Sequence, residues 1–151
     1  MISLAFTFST TGLYVCALHG NKDSISILYK NKIALPKGYT VNELTQWFET
    51  ELDLLLNKIN PDYVNYRLTI NNVTNDFVSK VYYGQGILNL LCFKKSIVIN
   101  HKSPTAIVAS RFGLTKGTDL HEFISALLSN PTTPWDSKMR DTALMALISF
   151  Y

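Results

Sequence analysis

The sequence predicts a mixed α/β domain: a five-stranded sheet, three strands antiparallel and then two parallel, flanked by helices. Three observations carry this reading. Residues 2–35 hold three β-patterned runs joined by short turns, the mark of an antiparallel meander. A helical pattern follows from residue 42. A strict alternation over 61–70 then lies between two helical patterns, which makes a strand reached by crossover and places it at the expected centre of the sheet.

Taken in order, Ile2–Phe8 alternates as a strand and Ser9, Thr10, Thr11 and Gly12 signal a turn. Residues 13–18 form the second strand, ending at His19-Gly20-Asn21. Residues 24–35 form the third, with Ile25, Ile27 and Tyr29 alternating and a bend expected at Asn31-Lys32. Asn42 is the expected N-cap of a helix over 42–58, where Leu44, Trp47, Phe48, Leu52, Leu55, Leu56 and Ile59 recur at three- and four-residue spacing. In 61–70, Val64, Tyr66, Leu68 and Ile70 define an apolar face, and Asn65, Arg67 and Thr69 define a polar one that reads as wet. Residues 71–74 read as a loop. Asn75 caps a helix over 75–93, in which Gly84 and Gly86 each cost on the order of 1 kcal/mol against Ala. They imply close approach of another backbone, or a kink. Residues 96–100 are a short strand, 104–112 a helix opened by Pro104, 119–128 another helix, and 135–151 the last, after a break at Pro131 and Pro134.

Composition bounds the rest. At 151 residues, 47% hydrophobic and 17% charged, the chain has enough apolar content for one folded domain and too little charge for a disordered one. The net charge of +3 admits nucleic acid as a partner without demanding it. Cys16 and Cys92 fit no metal motif and read as buried thiols of a reducing compartment. The first residues lack a basic n-region, and no apolar run reaches the roughly 18 residues of a membrane span. A cytoplasmic protein is therefore expected, and the Asn72-Val73-Thr74 glycosylation acceptor carries no weight. Gly84-Gln85-Gly86 lacks the third glycine and the setting of a dinucleotide fingerprint.

The element order is that of a ribonuclease H-like fold, and local stretches along it resemble RuvC-type Holliday-junction resolvases. Pro61-Asp62-Tyr63 precedes the fourth strand. Asp76, Lys80 and Gly86 lie at matching spacing along the next helix. Ser103-Pro104-Thr105 with Val108 follows the fifth strand, and Leu127-Leu128 leads through a proline-interrupted loop to Arg140-Asp141-Thr142-Ala143-Leu144-Met145-Ala146-Leu147. The resemblance implies two-metal phosphodiester hydrolysis, in which four carboxylates hold two Mg²⁺ ions. Here the first-strand position falls on Thr7, the fourth-strand position on Arg67 and the earlier last-helix position on Lys138; only the later one remains acidic, as Asp141. Asp136 lies about 140° around a helix from Asp141 and substitutes poorly.

A unit charge about 4 Å from an arginine feels about 4 kcal/mol at an effective dielectric of 20, and a divalent cation twice that. The resemblance with these replacements therefore implies a catalytically inactive RuvC-like protein, with no metal and no other cofactor. Asp141 is expected to pair with Arg67 or Lys138. Arg67 has two readings, as that structural partner or as a phosphate contact. Lys95, Lys102, Lys116, Lys138 and Arg140 join Arg67 as candidate nucleic-acid contacts, against a plain solvated surface. His19, His101 and His121 read as structural. Expected partners are branched or duplex DNA, a second copy bound through helix 75–93, and a partner enzyme. The expected role is a nucleic-acid-binding or accessory factor in recombination, repair or defence. The alternatives are a protein-interaction scaffold and, more distantly, a metal-dependent structure-selective endonuclease.

Overall fold

The computed structural model of the chain describes residues 1–68 and 74–151. Its sheet has the order β3-β2-β1-β4-β5, from β1 (Ile2–Phe8), β2 (Gly12–Asn21), β3 (Ser24–Ala34), β4 (Tyr63–Arg67) and β5 (Val98–Lys102). β1, β2 and β3 are antiparallel neighbours; β4 runs parallel to β1, and β5 parallel to β4. The fold class is the expected one, but the middle strand is β1. The meander occupies one side of β1, so the crossover helix returns the chain to its open side, and β4 lies between β1 and β5.

Alternation along β1 and β2 builds two layers. Leu4, Phe6, Phe8, Leu13, Val15 and Ala17 face α1 (Val41–Ile59) and α3 (Tyr83–Lys94). Ala5, Tyr14, Cys16 and Leu18 face α5 (Ser137–Leu147) and α4 (Leu120–Leu127). Ser3, Ala5 and Thr7 are small, which lets α5 lie close across β1, β2 and β4. The expected wet face of β4 is under this helix: Asn65 is buried.

Several local expectations change. α1 starts at Val41, capped by Thr40 rather than Asn42. The Glu43 carboxylate accepts from the Thr40 N–H at 2.7 Å and Thr40 Oγ1 accepts from the Glu43 N–H, a reciprocal box for which Asn42 has no glutamate three residues on. Thr74, not Asn75, caps the next helix, which runs as α2 (Asn75–Phe77), a π turn (Val78–Tyr82) and then α3. At Gly84 a Cβ would stand 2.7 Å from the Phe8 ring and 2.9 Å from the Phe48 ring. The close neighbour is thus aromatic rather than backbone, and nothing among the described residues lies within 4 Å of a Cβ at Gly86.

The expected helix over 104–112 is instead two 3-10 turns, Pro104–Ala106 and Ala109–Phe112. The β-branched pair Ile107 and Val108 leaves helical geometry between them, and Ile107 packs into the α5-side layer. β3 runs without the bend expected at Asn31-Lys32; its irregularity is at Leu28, which is left unpaired where Ala17↔Tyr29 gives way to Leu18↔Ile27. α5 starts two residues later than the 135–151 pattern, with Asp136 as its cap, and closes in a 3-10 turn, Ile148–Phe150. The expected strand residues 69–70 and loop residues 71–73, including the first two residues of the glycosylation acceptor, lie outside the described residues. Cys16 and Cys92 are buried free thiols; burial pushes the first up to about 12 and the second to about 11. No helix among the described residues is long and apolar enough to cross a membrane.

Candidate functional site

Because β1, β4 and β5 are parallel, their C-terminal ends share one edge of the sheet. Phe8, Arg67 and Lys102 mark that edge, and the N-terminal half of α5 lies over it. Thr142 Oγ1 donates to Thr7 Oγ1 at 2.8 Å, tying α5 to β1, and its hydroxyl also lies 2.7 Å from the Lys138 carbonyl. The Arg67 guanidinium pairs with Asp141 Oδ2, tying α5 to β4. Thr7, Arg67 and Lys138, scattered in the sequence, line one cleft, and Asp141 stands behind it as the partner of Arg67.

The cleft has a volume of about 470 Å³. Thr7, Phe8, Ser9 and Thr10 supply the wall from the end of β1, and Arg67 and Leu68 supply the wall from β4. Phe77 of α2 stands on one side, Ser103, Pro104 and Thr105 after β5 on another, and Lys138 comes from α5. The lining is a row of hydroxyls, an apolar patch and two cationic side chains.

The charges are arranged in pairs. Arg67 and Asp141 are about three-quarters buried, at 27% and 22% side-chain exposure. The second carboxylate oxygen, Oδ1, lies 2.9 Å from His121 Nε2 on α4. Both oxygens of Asp141 are thus engaged, by Arg67 and by His121 rather than by Lys138. The Lys138 ammonium instead stands 5.9 Å from the centre of the Tyr14 ring. Asp136 is committed elsewhere: its Oδ1 accepts from the Met139 N–H at 2.9 Å, and its Oδ2 accepts from the Tyr14 hydroxyl at 3.3 Å. Deeper along β4, the Asn65 amide donates to Ser3 Oγ at 3.2 Å and to Ser149 Oγ at 2.7 Å.

These groups do not fit a pair of divalent cations. Among the described residues, no three of His, Cys, Asp and Glu converge. The one carboxylate at the four positions is already neutralised by an arginine, and hard cations demand several free oxygens.

The other candidate contacts separate. Lys102 is in register with Arg67, and its carbonyl accepts from the Leu68 N–H at 2.9 Å, so it belongs to the cleft edge. Lys95 precedes β5 and belongs to the opposite end of the sheet. It reaches Asp53 at 2.8 Å and Asn57 at 2.7 Å on α1, and this ion pair holds the Asp53 carboxyl below its ordinary range. Lys116 lines a separate hollow beside Val108 and Leu120. Arg140 lines another with Asp119, Glu122 and Trp135, where its Nε is buried without an acceptor among the described residues. His101 is exposed beside the Tyr66 ring, 5.6 Å between centres.

Sequence reasoning named His121 as structural without its partner Asp141, and gave Thr142 and Tyr14 no place in the site. His121 and Asp141 are twenty residues apart on different helices, with no linear pattern between them. Thr142 gave a weak signal as a polar residue inside an otherwise apolar helical run. The hydroxyl run Ser9-Thr10 was legible only as a turn.

Fold and site together define a class: the chain has the RuvC-type, ribonuclease H-like resolvase fold. No family model matches the chain. It is 25% identical over 142 residues to the crossover junction endodeoxyribonuclease RuvC of Ruminiclostridium cellulolyticum, covering 93% of this chain and 84% of that protein. T. thermophilus RuvC, solved in complex with a Holliday junction substrate, superposes with a TM-score of 0.78 at 15% identity, over 100% of this chain and 94% of that one. The yeast mitochondrial Holliday junction resolvase Ydc2 superposes with a TM-score of 0.73 at 14% identity, over 97% and 76%.

Proposed function

We propose that this chain is a RuvC-like protein that binds branched or duplex DNA at the C-terminal edge of its sheet without hydrolysing it. The observation that carries the reading is the Arg67–Asp141 pair at the cleft mouth. It puts a cation where the fold's chemistry calls for a carboxylate. Arg67, Lys102 and Lys138 form the basic edge, and phosphate is the ligand such an edge attracts. The bias is modest, so binding depends on this local cluster rather than on net charge. The names of the relatives support the DNA half of the proposal: one is a junction endonuclease and another is solved with a junction. The role follows as an accessory factor in recombination, repair or defence, in the cytoplasm.

The names also favour a second reading, that of a metal-dependent endonuclease in which Asp141 is released from Arg67 to hold a metal. Incubating labelled four-way, flap and duplex DNA with the protein and Mg²⁺ or Mn²⁺ separates the two. The expected result is bound and uncut DNA. Cleavage that disappears in Asp141→Ala would establish the second reading. Absence of binding to every DNA form at low salt would leave a protein-interaction scaffold.

We also propose a homodimer through α3. Tyr83, Leu90 and Phe93 are exposed on that helix, Phe93 at 82%. A ring this open on a helix with apolar neighbours calls for a cover. Sedimentation is expected to give a dimer for the wild type and a monomer for Phe93→Asp. A monomeric wild type rejects the pairing.

A further inference from the structure

We infer that the hollow shared by α4, α5 and the loop between them binds a free basic α-amino acid, a ligand with one carboxylate and two cations. The hollow contains none of Arg67, Lys102 and Lys138, so the inference stands or falls independently of the nucleic-acid reading.

The hollow has a volume of about 690 Å³, within the ~300–1,000 Å³ of small-ligand pockets. Three charged side chains line it besides His121, which is already engaged by Asp141. The Arg140 guanidinium is half-buried, and among the described residues it has neither a hydrogen-bond acceptor nor an ion pair. A buried donor without an acceptor is costly, so a guanidinium in this setting calls for one from outside the chain.

The two carboxylates are also unanswered. Neither Asp119 nor Glu122 has an ion pair among the described residues. Asp119 caps α4 through Oδ1, which accepts from the His121 N–H at 2.8 Å and the Glu122 N–H at 3.1 Å. Its Oδ2 is left over. Those two N–H groups hold the Asp119 carboxyl below its ordinary range, and the Arg140 charge adds a smaller share. Arg140 therefore acts on Asp119 across a gap that no bond closes.

The charge count selects the ligand. A phosphate would meet Arg140 but face two carboxylates. A polyamine would answer the carboxylates and leave Arg140 without an acceptor. A neutral amino acid would leave one carboxylate over. A basic amino acid answers all three: its carboxylate takes the guanidinium fork, and its ammonium and side-chain cation take Asp119 and Glu122.

Titrating ¹⁵N-labelled protein with L-arginine tests this. The reporter is the Trp135 indole N–H, which lines the hollow and donates to Ser125 Oγ at 2.9 Å. Trp47→Phe tells its signal from that of the other tryptophan. Three analogues each remove one charge: agmatine the carboxylate, citrulline the side-chain cation, Nα-acetylarginine the ammonium. Agmatine is expected to bind roughly tenfold more weakly than arginine, because it forgoes a charge-assisted contact to a half-buried group. The other two are expected to lose about threefold each, because Asp119 and Glu122 are exposed.

Arg140→Gln is expected to bring arginine down to the level of agmatine without weakening agmatine. Glu122→Gln is expected to keep the margin over agmatine and erase the margin over citrulline or over Nα-acetylarginine. Thermal midpoints report that both variants are folded, and the analogue series on the wild type needs neither. Equal affinity for arginine and agmatine would overturn the inference. So would inorganic phosphate moving the Trp135 signal as far as arginine does, or a Trp135 signal that several millimolar arginine leaves in place.

Discussion

The two faces of the sheet differ in kind. The layer under α1 and α3 is nearly all apolar: Leu4, Phe6, Phe8, Phe48, Leu52 and Leu56 fill it, with Gly84 letting two rings reach the helix backbone and only Gln85 and the Tyr66–Asn89 bond bringing polar atoms to its α3 side. The layer under α5 carries a polar seam. From within outward it consists of Ser3, Asn65 and Ser149, then Thr7 and Thr142, then Arg67, Asp141 and His121. Asn65–Ser149, Thr142–Thr7 and Asp141–Arg67 join α5 or its 3-10 extension to a strand, Asn65–Ser3 joins β4 to β1, and His121 adds α4 through Asp141. The apolar layer gains stability by burial. The seam holds a helix in one register, because buried polar groups penalise any shift that unpairs them. Its outer end opens into the cleft, so the side of the sheet that keeps polar groups is also the side with a surface for a ligand.

The contrast can be broken at points of decreasing effect. Phe48→Ala in the apolar layer removes a ring in contact with Phe8 and Trp47 and is expected to cost about 3–5 kcal/mol by chemical denaturation, with the cleft unchanged in the remaining folded protein. Asp141→Ala leaves Arg67 and His121 facing a hole. A loss of about 1–3 kcal/mol is expected, well below the Phe48 effect.

Asp141→Asn separates charge from shape. The amide keeps a partner for Arg67 while removing one negative charge from the cleft. Since one charge at about 4 Å in water-like screening is worth about 1 kcal/mol, junction affinity is expected to rise roughly fivefold. Unchanged or weaker binding would show that Arg67 is structural only. Thr142→Val removes the donor to Thr7 and is expected to cost about 1–2 kcal/mol without changing DNA affinity by itself.

The smallest effect is at the far end of the sheet. Lys95→Ala is expected to change stability by a few tenths of a kcal/mol, because its partner Asp53 is exposed. The pH sign is fixed: Asp53 is held low by Lys95, so its contribution is present above the ordinary carboxylate range and fades as pH falls through the lowered value. Denaturation of wild type and Lys95→Ala is therefore expected to converge in acid. Lys95→Ala is also expected to leave DNA binding unchanged, which separates Lys95 from Arg67, Lys102 and Lys138.

What was legible in the sequence follows from what is local. Short links and alternation placed the strands and their directions, because a hairpin or a crossover is encoded within a few dozen residues. The identity of the middle strand was not, since it depends on which edge of β1 the crossover helix finds free. Asn65 looked wet because alternation separates two faces without telling whether the second is covered; α5, far along the chain, covers it. The Arg67–Asp141 pair was reachable, as two opposite charges at positions that the resolvase resemblance brings together. His121 was not, because nothing local to it points to Asp141. The failed helix over 104–112 had a local warning in Ile107-Val108, overridden by the strong start at Pro104.

The measurement that bears most directly on the DNA reading is junction affinity against salt for wild type and Arg67→Glu, with strand integrity read from the same samples. The expected result is intact DNA, affinity that falls steeply with salt for the wild type, and a weaker, flatter dependence for Arg67→Glu. Identical salt dependence in the two proteins, or cut strands in the presence of Mg²⁺, would contradict it.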